Sequence, residues 1–234
     1  MPVSKSKLLP RVPSVPVPGG RRAQYSASTK RALVDVATDL FTENGYSSTS
    51  LDAIVAGAKV TKGALYHHFT GKQALFEAVF EEIEAQASRH INAATRGEDD
   101  PWAKASRGLE AFLEVVQWPE YRRVVIQEGP AVLGYERFRE QEGRTTFANV
   151  LDIVDSVLGA GEWELDEEMT ETFTRIFFGA MSAAGESVAR NEDPRAAGAR
   201  VETAISFILA GLRSLVEQGV ELPETPRPGP TSAR

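Results

Sequence analysis

The residue types with the most chemical reach lie close together: Lys62, Gly63, Ala64 and His67 fall within one short stretch. A lysine can bond a phosphate oxygen or a guanine edge, and a histidine a phosphate or a base. Glycine and alanine are small enough to let a helix approach base edges closely. Other groupings point to no chemistry of their own. His67 and His68 diverge by about 100° on a helix, only His90 remains besides them, and the chain has no cysteine, so no metal site is expected. The acidic triples Glu98-Asp99-Asp100 and Asp166-Glu167-Glu168 stand just before helix starts and read as caps and solvated charge. No nucleophile elbow, Walker motif or dinucleotide fingerprint occurs. No cofactor is expected, and nothing argues for an enzyme.

The elements that would present these side chains are two short helices and a turn between Thr49 and Leu75. Leu51, Ile54 and Val55 form the apolar stripe of the first. The segment from Gly57 to Val60 breaks it, and Leu65, Tyr66 and Phe69 form the stripe of the second. Thr49 or Ser50 can cap the first helix and Thr61 the second. Such a pair is a helix-turn-helix, whose second helix enters the major groove. Tyr66 is expected to pack inward with its hydroxyl toward the DNA backbone. A longer helix from Ser28 or Thr29 to about Asn44, with Leu33, Val36, Ala37, Leu40 and Phe41 on one face, would hold the pair. A further helix opening at Thr70 to Lys72 offers free N–H groups and Lys72 to a phosphate.

The stretch V-T-K-G-A-L-Y-H-H-F-x-x-K-x-x-L (Val60 to Leu75) resembles the DNA-binding signature of tetracycline-repressor-like (TetR family) regulators. The resemblance is specific from Lys30 to Leu75. It departs at Lys59, where the family often has glycine, and at Val55, where it often has alanine. A lysine with positive φ there would cost about 1 kcal/mol. The resemblance implies that Lys30, at the first turn of the long helix, meets a phosphate. The DNA-facing set is then Lys30, Thr49, Thr61, Lys62, Gly63, Ala64, Tyr66, His67 and Lys72.

Charge is divided along the chain. Residues 1–73 hold 10 Lys+Arg against 4 Asp+Glu, and the remainder 16 against 29. The total of −7 therefore joins a basic head to an acidic body, which suits a protein that lays one end on phosphates. Residues 1–24, rich in proline and arginine, read as a disordered basic arm that either tracks DNA or serves as a solubilising tail. No apolar run approaches the roughly 18 residues of a membrane span, and Pro10, Pro13, Pro16 and Pro18 interrupt any signal-peptide core. A cytoplasmic protein is expected.

Helices are expected near 101–117, 119–128, 130–158 (broken around Gly143), 166–191 and 194–218, with Asp100-Pro101, Asp166 and Asp193-Pro194 as starts. The fold class is all-α with about nine helices. Residues 25–73 form the helix-turn-helix domain, 74–221 an effector-binding and dimerisation domain, and 222–234 a disordered tail. The last two helices carry more apolar positions than one packing face requires. The resemblance implies that the surplus, with Met181, Ala184, Ile208, Leu212 and Leu215, meets a second copy in a two-fold four-helix interface. A small-molecule pocket is expected among the middle helices. Phe112, Trp118, Tyr121, Phe138, Phe147, Phe173 and Phe177 supply aromatic surface, with Gln127, Arg123 and Arg175 as polar anchors. The reading is a homodimeric, ligand-responsive regulator, by family habit a repressor, on a near-palindromic double-stranded operator. Its rivals are a sequence-nonspecific DNA-packaging protein and an α-helical enzyme.

Overall fold

The computed structural model describes residues 18–161, 163 and 165–221, and among these all regular structure is helical. The expected arm up to residue 17 and the tail from residue 222 lie outside the described residues. Helix α1 spans Pro18–Ser48, α2 Leu51–Gly57, α3 Lys62–His68 and α4 Lys72–Thr95. α1 begins ten residues earlier than its capping signals suggest. Pro18 is the last of the N-terminal prolines, and proline is compatible with a first helical turn but not with a later one. Near its other end α1 kinks at Gly45, whose φ of +79° departs from helical values. That is the left-handed region in which glycine is favoured, and it accords with Asn44-Gly45 as a stop signal.

α1 lies across α2, α3 and α4, and the four share one core. Leu33, Ala37 and Phe41 of α1 meet Ile54 of α2, Leu65 of α3 and Leu75, Phe76 and Val79 of α4, and all are fully buried. The Phe76 ring stands edge-on to Phe41 and Tyr46, with ring centres 5.3 and 5.2 Å apart. α4 continues past this head and becomes a wall of the body.

The body follows as α5 (Pro101–Val115), a π-helical segment (Tyr121–Glu128), α6 (Gly129–Leu133), α7 (Tyr135–Leu158), α8 (Glu167–Ala189) and α9 (Pro194–Glu217). The three aspartate caps form as their positions imply. Asp100 accepts from Trp102 N–H, Asp166 from Met169 N–H and Asp193 from Ala196 N–H. Two details differ from the sequence expectation. The helix expected over 119–128 winds with wider π hydrogen bonding. The break expected near Gly143 falls instead at Gly134, where φ is +80°, so α7 is continuous through position 143. Gly143 needs no special backbone, whereas Gly134 supplies the conformation that separates α6 from α7.

Candidate nucleic-acid interface and effector cavity

The helix-turn-helix is set by two hydroxyl caps and a tight turn. Ser50 Oγ accepts from Ala53 N–H at 3.1 Å, and Thr61 Oγ1 accepts from Ala64 N–H at 3.2 Å. Between the helices Lys59 takes φ +54°, and among the described residues it is the single non-glycine residue with positive φ. The bond from Val60 N–H to the Val55 carbonyl closes this turn at 3.2 Å. The lysine thus adopts the backbone that a glycine would occupy without cost.

Leu65 and Phe69 face inward from α3, while Lys62, Gly63 and His67 are exposed and Ala64 is half-buried. A Cβ added at Gly63 would meet only the Thr61 hydroxyl, at 3.8 Å, so the surface there is open. Lys62 pairs with Asp52 of α2 at 2.6 Å. Its ammonium is held above the usual lysine range by that hydrogen bond and by the Asp52 charge. Lys30 places its ammonium 5.9 Å from the centre of the Phe69 ring, on the same side of the head as His68. Burial, followed by the charges of His67 and Lys30, pushes His68 below the usual histidine range.

Three expected placements change. Tyr66 is 59 % exposed rather than part of the inward stripe, since Leu65 and Phe69 already fill that face. It extends the open surface of α3. Thr49 is 3 % exposed, and its hydroxyl donates inward to the carbonyls of Leu40 and Gly45, at 3.0 and 2.8 Å. Its hydroxyl therefore ties down the kinked end of α1 instead of facing DNA, and Ser50 takes the cap. The Lys72 ammonium donates to the carbonyls of Tyr46 and Thr49 at 2.7 and 2.9 Å and lies 4.3 Å from the centre of the Tyr46 ring. A C-terminal helix end is where cations are favoured. Lys72 therefore clasps α4 to the end of α1, a role the sequence expectation did not include.

The junction between head and body passes through the same place. Glu128, at the end of the π-helical segment, accepts the Tyr46 N–H at 2.8 Å and pairs with Arg123 at 3.3 Å. A Cβ at Gly45 would lie 2.5 Å from the Arg123 guanidinium and 2.6 Å from the Glu128 carboxylate. The glycine therefore serves both the kink and this close approach.

Behind the π-helical segment lies a cavity of about 750 Å³, within the range of small-molecule sites. Phe112, Tyr121, Gln127, Phe138 and Phe177 line it as expected, together with Leu109, Val125 and Ile153. Five expected residues lie elsewhere, among them Arg175, which pairs with Glu171 at 2.6 Å. Trp118 stacks edge-on against His90, with ring centres 5.3 Å apart. Arg123 is engaged with Glu128. Phe147 packs on Phe178, with ring centres 5.4 Å apart. Phe173 is half-buried on α8 outside the lining. Aromatic residues at helical spacing satisfied the core before the cavity. The sequence reading missed Thr146, Asn149, Val150 and Ile153 of α7, which line the cavity. Their i, i+3, i+4, i+7 spacing was available, but two polar residues disguised the stripe.

On α9, only Ala197 and Gly198 are buried. Phe207 is 81 % exposed, and Ile208, Leu215 and, from α8, Ile176 are also open. Small residues lie among them: Gly179, Ala180, Ala183, Ala204 and Gly211 are exposed. Ala184 and Leu212 are half-buried. Met181, expected on this face, is half-buried and lines the cavity, as do Gly179 and Ala183.

Residues 33–79 match the family model of bacterial regulatory proteins of the tetR family, and residues 102–212 match that of the tetracyclin repressor-like C-terminal domain. The Transposon Tn10 TetC protein of Escherichia coli is 31 % identical over 113 residues, 48 % of this chain and 57 % of that protein. The HTH-type transcriptional regulator AcrR of Shigella flexneri is 33 % identical over 105 residues, 44 % of this chain and 49 % of the relative. The chain thus spans about half the length of these curated relatives. The crystal structure of a TetR-family transcriptional regulator from Pectobacterium atrosepticum superposes with a TM-score of 0.68 at 29 % identity, covering 81 % of this chain and 96 % of that one. With the turn, caps and open helix face inside the first matching domain and a second matching domain following it, the chain belongs to the tetR family of bacterial regulatory proteins.

Proposed function

We propose that this protein is a homodimeric transcriptional repressor that occupies a near-palindromic operator and leaves it when a small apolar or aromatic effector fills the body cavity. The observation that carries the reading is the two-sided character of α3. Leu65 is fully buried on one side, while Lys62, Gly63, Tyr66 and His67 stand open on the other. A helix so placed can enter a major groove without rearranging the core beneath it. The apolar surface of α8 and α9 supports a two-fold partner, because exposed Ile176, Phe207, Ile208 and Leu215 with small residues between them suit helix-on-helix packing. Among the described residues no helix is long and apolar enough to cross a membrane.

Effector coupling would run through the π-helical segment. Tyr121, Val125, Ile126 and Gln127 line the cavity, and Arg123 and Glu128 of the same segment hold the kinked end of α1. A ligand that repositions the first group biases the second, and α1 carries the head with it. The effector must bind the released arrangement more tightly than the DNA-bound one, and coupling of about 1–3 kcal/mol changes occupancy about 5- to 150-fold. Footprinting on duplexes selected from a random pool tests the function. A discrete near-palindromic footprint supports the regulator, and uniform coverage supports a packaging protein. Turnover of pooled metabolites without duplex release would favour an enzyme.

A further inference from the structure

We infer that Asp52 is a specificity-determining residue of the DNA-reading surface, because its carboxylate withholds the Lys62 ammonium from phosphates of arbitrary sequence. The lysine stays available to a selected duplex, in whose groove α3 is seated. The inference rests on α3 being the reading helix, and it follows from where the single acid of this segment stands.

From residue 44 to residue 76 the chain carries one acidic side chain, Asp52, against Lys59, Lys62, Lys72, His67 and His68. Lys72 is committed to the carbonyls of Tyr46 and Thr49, and Lys62 is the one lysine on α3. Asp52 lies in the first turn of α2 and pairs with that lysine at 2.6 Å. The helix does not need this acid as its cap, since Ser50 already accepts the Ala53 N–H. The Asp52 and Lys62 side chains are 68 % and 64 % exposed, so the pair forms on the outer surface of the head and not within its core. The carboxylate therefore stands in the same open surface that Lys62, Gly63 and His67 present.

Binding to DNA of arbitrary sequence comes from cations that displace counterions from phosphates. An ammonium with a carboxylate at 2.6 Å is already neutralised. Engaging a phosphate then means parting the pair or bringing the carboxylate against the charge of the backbone. An exposed pair is held by about two- to fivefold, which weakens random contact without preventing displacement. A seated helix meets different terms. The position of α3 is fixed by the buried Leu65, and a lysine ammonium carries more than one donor. One donor stays on Asp52 while another meets a base edge or a phosphate. The long side chain is then ordered before DNA arrives, which lowers the entropy lost on binding.

Fluorescence anisotropy of the full chain over a range of salt, on a duplex selected from a random pool and on a scrambled duplex of equal length, tests this. Asp52→Asn is isosteric at an exposed position. It should tighten binding to the scrambled duplex about two- to fivefold and steepen its salt slope by about 1. The preference for the selected duplex should fall by at least about twofold. In a chain that already carries Lys62→Ala, the same change should leave the preference where it was, because the pair carries the effect. A preference that Asp52→Asn leaves unchanged or raises overturns the inference. So does one that falls as far in the chain without Lys62, which would make Asp52 a plain negative charge. A parent chain that binds both duplexes equally overturns the DNA-reading proposal and this inference together.

Discussion

The head and the body of this protein are built to different standards of completeness. In the head, α1 to α4 close on a dense set of fully buried aromatic and aliphatic side chains, and two polar side chains tie down the end of α1. Thr49 bonds two carbonyls and Lys72 reaches carbonyls at the end of α1. The body keeps a cavity of about 750 Å³, a π-helical segment and a helix α9 on which Phe207, Ile208 and Leu215 stand exposed. The contrast implies a division of labour. On the proposed function, the close-packed head would carry the DNA-reading face of α3 as one piece, and effector and partner binding would fall to the body, which folds with surfaces still to fill.

Truncation of core residues gives the largest expected separation between the two regions. Leu65→Ala in the head should cost about 2–5 kcal/mol of unfolding free energy, because a fully buried leucine leaves a void that packed neighbours cannot close. Phe177→Ala in the body should cost less than half as much, since one side of this ring already faces the cavity. Urea denaturation of both variants checks the order, and a costlier Phe177→Ala would break the comparison.

Lys72→Met removes a charged donor from the carbonyls of Tyr46 and Thr49. It should destabilise the protein by about 1.5–3 kcal/mol. The slope of log affinity against log salt should stay unchanged on duplex DNA if this side chain is only a clasp. A slope smaller by about 1 would give it a phosphate contact as well.

Gly45→Ala probes the seam between the regions. The left-handed backbone costs an alanine about 1–2 kcal/mol. The added Cβ also collides with the Arg123–Glu128 pair, so the thermal midpoint should fall and effector-induced DNA release should weaken together. A fall in midpoint with release intact would disconnect that seam from regulation.

Lys62→Ala should leave the folding midpoint almost unmoved, because the Asp52 pair is exposed. Duplex affinity should drop and the salt slope shrink by about 1 if the contact is to one phosphate. Altered base preference would indicate contact with a base edge.

What the sequence disclosed follows the same division. The head was legible because its apolar spacing, hydroxyl caps and the lysine in the turn are local signals, and Ser50, Thr61 and Lys59 sit as those signals imply. The errors there arose where tertiary contacts overrode local chemistry. Thr49 looked like a cap and became an internal strut, and Tyr66 looked buried on a face that Leu65 and Phe69 had already filled. In the body the aspartate caps located α5, α8 and α9, but the cavity lining was read chiefly from aromatic content. Aromatic residues fill cores and cavities alike, so Phe147 and Trp118 were misassigned while Thr146 and Asn149 went unseen. No sequence period announces π winding either, because the apolar spacing of Tyr121, Val124 and Val125 is equally helical in both forms.

The central claim is that the open face of α3 reads DNA, twice per assembly. Nuclease protection of a duplex selected by the full chain tests it most directly. The account predicts one bounded, near-palindromic protected region with half-site centres about 34 Å apart, lost when Gly63 is replaced by a bulky residue that its open surroundings would otherwise accommodate. Protection that spreads evenly along the duplex, or a bounded site that survives that replacement with full affinity, would contradict it.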